Sequence, residues 1–246
     1  MKMKRLLCLL MAVMLVACTS AKEKLDSDMG PEDLYLKGYN AFQEKDFDVA
    51  IEAFDAVEQN FPYSEWAERA QIMMAYAQYK ENKYADALLT LDRFIQLHPG
   101  NKNTPYALYL KGLCYFEQMS DVTREQEMTA NAEQSFHELI ARYPASIYKN
   151  DAEAKLVSIQ NHLAGQEMEV GRYYQKHSDY TAAMNRFQQV LKNYADSNQA
   201  PEAYYRLAAC YKALGMNEQA QKISETLSKK YEKSEWSQKA LRLVKD

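Results

Sequence analysis

Glycine, proline and cysteine are scarce in this chain: seven, six and four among 246 residues. The seven glycines form no phosphate-cradling cluster, which removes the common nucleotide-binding loops. The four histidines, His98, His137, His162 and His177, are scattered, with no His-Glu-x-x-His and no cysteine pair at zinc-ligand spacing. No metal, cofactor or catalytic residue is therefore expected. Basic residues number 30 against 34 acidic ones, and Lys229-Lys230 is too short to make a basic patch. An acidic exterior without a basic stripe argues against nucleic acid. Long apolar runs are missing too. Leu6 to Val16 gives 11 apolar residues, and a membrane-spanning helix needs about 20.

What the chain does have is a period. Gly38/Ala50, Ala75/Ala87, Gly112/Ala132, Gly171/Ala183 and Ala208/Ala220 pair a small residue with an alanine, 12 residues on in four cases and 20 in the third. The leading members recur at steps of 37, 37, 59 and 37. A step in this range means stacked units, none able to bury its apolar face alone. Each unit reads as a helix around the small residue, a short turn, and a second helix. In that helix Phe54, Leu91, Phe136 or Phe187 follows the alanine by four, on the same face. The bulky residue is expected to fill the next layer. Pro62, Pro99 and Pro144 end three of the second helices. Asp121 to Glu127 reads as a surface loop, and the long fourth unit as one helix from Asn150 to about Lys176. Cys114 and Cys210 lie two residues beyond Gly112 and Ala208. Equivalent positions two repeats apart cannot approach within the ~7 Å between Cα atoms that a disulfide requires, so both read as small core residues.

The chain opens with a targeting segment. Lys2, Lys4 and Arg5 precede the apolar run, and Leu15-Val16-Ala17-Cys18 looks like a bacterial lipobox. Residues 1–17 are thus a lipoprotein signal peptide. Cys18 is the lipidation site, carrying a diacylglycerol and an N-acyl chain that together anchor stably. Loss of residues 1–17 removes three positive charges and no negative ones, taking the net charge from −4 to −7. Residues 18–30 read as the lipidated N-terminus and a polar tether. By resemblance to Gram-negative lipoproteins, Thr19 after the cysteine favours the outer membrane.

The repeat resembles the tetratricopeptide family over about residues 32–232. The expected fold is all-α, a right-handed superhelical solenoid of five helix pairs. The units fall at about 32–63, 64–101, 104–145, 150–196 and 200–232, with a cap at 234–244, in one domain over 31–246. Ala195, Ser224 and Glu232 depart from the pattern. Asp92-Arg93-Phe94-Ile95 with His98-Pro99, Thr104-Pro105-Tyr106-Ala107, and Asn185-Arg186-Phe187 narrow the likeness further. So do the stretched fourth unit and the lipobox. The chain resembles the lipoprotein subunits of the outer-membrane β-barrel assembly machine.

That resemblance implies a non-enzymatic scaffold. Its first half would receive unfolded barrel precursors, and its second would dock on the barrel-forming subunit with periplasmic repeats, with other lipoproteins as further partners. Arg186 occupies the family position that pairs with an acid of that subunit. The other reading is a different periplasmic tetratricopeptide adaptor, for instance one coordinating cell-wall synthesis. A wall-cleaving hydrolase would need a further compact domain, and the repeats leave almost no chain for one.

An i, i+4, i+7 stripe on each first helix is expected to line the groove. It reads Tyr35/Tyr39/Phe42, Ile72/Tyr76/Tyr79 and Tyr109/Leu113/Phe116, then Met168/Arg172/Gln175 and Tyr205/Ala209/Lys212. Arg69 and Lys80 flank it and suit a peptide carboxylate. Tyrosine favours a half-wet surface; packing between helices is the alternative for each ring.

Overall fold

The computed structural model describes residues 29–121 and 126–245. The signal peptide, Cys18, the tether through residue 28, and residues 122–125 of the third unit's loop lie outside the described residues. Among the described residues every regular element is a helix. They are α1 (Pro31–Gln43), α2 (Phe47–Asn60), α3 (Glu65–Lys80), α4 (Tyr84–Leu97), α5 (Thr104–Glu117) and α6 (Glu127–Arg142). There follow α7 (Lys149–Lys176), α8 (Tyr180–Asn193), α9 (Ala200–Ala213), α10 (Asn217–Lys230) and α11 (Glu235–Leu243). Two compact units form, one through Ala70 and one from Gln71 on, so the division falls inside α3.

The first unit is built on α1 against α2, with Leu34, Gly38 and Ala41 buried on one and Ala50, Ala53, Phe54 and Val57 on the other. In the second unit three clusters follow one another. The first joins α3, α4 and α5 through Ala75, Leu91, Phe94 and Leu110. Another joins α5, α6 and the first half of α7 through Leu108, Phe136, Leu139 and Ile159. The last joins the second half of α7 to α8 and α9 through Met168, Phe187, Val190 and Leu207. Cys114 and Cys210 are free thiols inside these clusters, and burial pushes them up to about 12 and about 11.

All ten small residues of the five pairs are buried. Their purpose differs from the sequence expectation, which put the bulky residue in the next layer. A Cβ built on Gly38, Gly112 or Gly171 would stand 2.8, 2.5 or 2.5 Å from a ring carbon of Phe54, Phe136 or Phe187. Each ring therefore packs directly against the glycine of its own pair.

Four of the five turns inside a pair share one hydrogen-bond pattern. The amides of Asp46, Lys83, Asp179 and Met216 reach back five residues to the carbonyls of Ala41, Gln78, Tyr174 and Tyr211, at 2.8–3.0 Å. That closure needs a left-handed residue just before the donor. Lys45, Asn82, Ser178 and Gly215 supply it, with φ of 64°, 59°, 63° and 75°. Only the last is free of the Cβ penalty. Ser178→Gly is therefore expected to raise stability, by up to about 1 kcal/mol after glycine's added chain entropy is subtracted. A urea-unfolding midpoint that falls instead would show that the serine side chain holds the turn.

The turn between pairs is also repeated. Phe61, His98, Tyr143, Tyr194 and Tyr231 each donate their amide to the carbonyl four residues back and accept from the residue three ahead. The pattern survives at Ala195 and Glu232, where proline is missing. Thr104 helps to close one such turn by donating its hydroxyl to the His98 carbonyl at 2.7 Å. Tyr143 and Tyr231 tie successive turns together, donating to the carbonyls of Pro99 and Ala195 at 3.0 Å.

Candidate protein-binding surfaces

In the first unit the structure brings Tyr35 and Arg69 together around Trp66. The Tyr35 ring centroid lies 5.0 Å from Trp66 and 5.5 Å from Phe54. The Arg69 guanidinium stands 4.9 Å over the same indole, beside Glu65 at 3.9 Å. Burial raises the Tyr35 phenol, against the pull of Arg69, so it remains a donor at neutral pH. Tyr39 is 41% exposed and offers ring area to a partner. Phe42 does something else: its ring meets Phe47 edge-on at 5.4 Å and packs the turn.

In the second unit, Tyr76, Tyr79 and Tyr109 belong to a continuous run of rings. Tyr84 meets Tyr79 at 5.9 Å, Tyr79 stacks on Tyr76 at 6.3 Å, and Tyr76 meets Tyr106 at 6.4 Å. Tyr106 then meets Tyr148 at 5.3 Å, which stacks on Tyr109 at 5.0 Å. All six are half-buried. Carboxylates fix the hydroxyls of two: Tyr109 donates to Asp151 at 2.6 Å and Tyr79 to Glu117 at 3.5 Å. Burial, helped by Glu117, pushes Tyr79 up to about 12; burial and then Asp151 raise Tyr109. The surface thus presents flat apolar area edged by protonated hydroxyls and two acids. Lys80 is exposed at the end of α3. Ile72 is core at 7% exposure and lines nothing.

Tyr106, Tyr148, Glu117 and Asp151 were not among the expected site residues. Tyr106 lies one turn before Tyr109, so the stripe would have included it if widened. Tyr148 sits ahead of α7, outside any helical period.

Farther along, the expected stripe is occupied by the protein itself. Met168 is fully buried. Arg172 bonds Glu202 at 2.9 Å and Glu169 at 2.6 Å. Arg206 bonds the same Glu202 at 2.5 Å and Gln175 at 2.7 Å. Tyr205 is covered by the Trp236 ring at 5.3 Å, and the Lys212 ammonium donates to the Leu243 carbonyl. Helix α11 therefore caps the surface that was expected to stay open.

Burial pushes the Glu202 carboxyl up, but hydrogen bonds from Arg206 and Arg172 outweigh it and bring the pKa below its ordinary 4.5. A lowered folded value means stabilisation that is complete above about pH 4.5 and lost as pH falls through the folded pKa. Glu202→Gln is expected to cost about 1–3 kcal/mol at pH 7, leaving two half-buried guanidiniums short of an acceptor. The gap between variant and wild type should narrow as pH falls below about 4.5 in urea melts; a gap constant in pH would refute the assignment.

Arg186, on α8, lies 43% exposed and bonds Glu167 of α7 at 3.2 Å. It is thus held by one acid while its side chain stays partly exposed.

A family model described as YfiO, outer membrane lipoprotein, matches residues 27–227. The outer membrane protein assembly factor BamD of Rickettsia prowazekii is 36% identical over 248 residues, covering all of this chain and 99% of its own. This chain belongs to the BamD family. The BamD of Caulobacter vibrioides is 39% identical over 215 residues, 87% of this chain and 70% of that one. The BamD of Neisseria meningitidis serogroup B is 34% identical over 86% and 83% of the two chains. A solved tetratricopeptide-repeat protein of Bacteroides fragilis superposes with a TM-score of 0.51 at 14% identity, covering 87% of this chain and 97% of that one. It shows the fold alone. The segments that carried the likeness have structural uses here. Asp92 pairs with Lys111 at 2.6 Å, and Thr104 closes a turn.

Proposed function

We propose that this chain is a non-enzymatic lipoprotein scaffold of the outer-membrane β-barrel assembly machine, anchored through acylated Cys18 with its helices in the periplasm. The observation that carries this reading is the match along the whole chain to the assembly factor BamD. The half-buried tyrosine run on α3, α4 and α5 and just ahead of α7 supports contact with aromatic-rich barrel precursors, since rings with fixed hydroxyls suit extended apolar segments. Tyr35, Tyr39 and Arg69 offer a similar surface in the first unit. Arg186 is the docking residue for the barrel-forming subunit, and its partly exposed side chain suits an incoming carboxylate. Pull-down from detergent-solubilised membranes tests the reading. A large barrel protein with periplasmic repeats should be recovered; cell-wall enzymes alone would favour the adaptor role instead. Labelling with palmitate should be lost in Cys18→Ser, and retained label would remove the anchor assignment.

A further inference from the structure

The two terminal helix pairs are finished differently. The last pair, α9 and α10, is closed by a single helix, α11, which buries Ser237 and Ala240 against it. The first pair carries no such helix among the described residues. One face of it, on α1 and the start of α2, holds an open hollow of about 530 Å³. Met29, Leu36 and Val49 supply apolar floor, and Asp33, Glu44 and Asp46 stand around it with Lys37. Leu36 is 45% exposed. Partly open apolar side chains set among charged ones suit a partner that brings both apolar and charged groups. Asp33, Leu36 and Asn40 follow one another at helical spacing on α1, and Glu44 continues the line just past its end, giving a strip as long as a short helix.

Charge identifies the kind of occupant. From Met29 to Ala70 the chain carries ten carboxylates against three cations, Lys37, Lys45 and Arg69, a net charge of −7. That is the whole net charge expected of the chain once residues 1–17 are removed, gathered on one unit. We propose that this face docks a basic amphipathic helix from a partner protein, laid along α1 as α11 is laid along α9 and α10. Apolar side chains of the helix would enter around Leu36, and its lysines or arginines would meet Asp33 and Glu44. The chain's own residues 19–28 suit the hollow poorly. They set Lys22 and Lys24 against Glu23, Asp26 and Asp28, and contain one large apolar residue, Leu25. Helix α11 of a second copy has the right sign, through Lys239 and Arg242, but its apolar side is already in use.

A photo-cross-linking amino acid at position 36 of the full-length lipoprotein, irradiated in native membranes, tests the proposal. The linked peptide should come from another protein and show lysine or arginine with apolar residues at steps of three and four. A labelled synthetic copy of that peptide should then bind the detergent-solubilised lipoprotein. The double variant Asp33→Lys, Glu44→Lys should weaken binding by about tenfold or more, and Leu36→Glu should do likewise. Glu52→Lys, an exposed reversal on α2 away from the hollow, should change binding by less than about threefold. Linkage to residues 19–28, to a second copy or to nothing would overturn the proposal. So would equal losses from the reversals inside and outside the hollow.

Discussion

Phe136→Ala is expected to lower unfolding free energy by about 3–5 kcal/mol. The ring is fully buried among Leu108, Leu139, Ile159 and their neighbours, and it lies on Gly112, so nothing at hand can move in to fill its place. Urea unfolding followed by circular dichroism measures it. A loss under about 1 kcal/mol would mean that the site collapses freely. The companion change is Gly112→Ala. In an open helix that exchange stabilises by about 1 kcal/mol. Here a methyl group would stand 2.5 Å from the Phe136 ring, and overpacking of this kind costs about 1–3 kcal/mol. The steric term wins, so the alanine variant should be the less stable one.

Arg186→Glu is expected to reduce recovery of the barrel-forming subunit by about tenfold or more, since reversal turns attraction into repulsion at a close charge pair. Its effect on folding should be small. The Arg186–Glu167 pair is partly exposed, and such pairs contribute only about 0–1 kcal/mol. Binding and stability therefore separate cleanly. Lys192→Glu, an exposed reversal on the same helix, is the fitting comparison. Lys212 would mislead, because it holds the end of α11. Pull-down with each variant, beside a urea melt, checks the point. Equal losses from Arg186→Glu and Lys192→Glu would end the docking assignment.

Much of the helical layout is legible in the residues, because burial imposes a period. The ten small residues mark helix crossings, and all ten are buried. The long helix expected from Asn150 begins at Lys149, since Ala152, Leu156 and Ile159 keep one face apolar throughout. Less legible is what each ring touches. Spacing puts Phe54 on the same face as Ala50 but does not say that it lies on Gly38. A stripe drawn on α3, α7 and α9 likewise cannot know that Ile72 and Met168 are covered or that Trp236 returns over Tyr205. Phe54 and Gly38 are 16 residues apart and Tyr205 and Trp236 are 31 apart, and each pair is joined through turns whose course no local pattern encodes. Tyr148 belongs to the same class: it lies outside a helix, and only the path of the chain between α6 and α7 carries it to Tyr109.

Helix α7 has a mechanical consequence. Its first turn holds Asp151, which grips Tyr109 in the aromatic run, and its fifth turn holds Glu167, which grips Arg186. The two acids are 16 residues apart on one uninterrupted rod, a distance of about 24 Å. A cargo that tugs on the tyrosines and a neighbour that pulls on the guanidinium would thus load two separate points of a single strut. The helix runs unbroken between them, so the load would pass along its backbone.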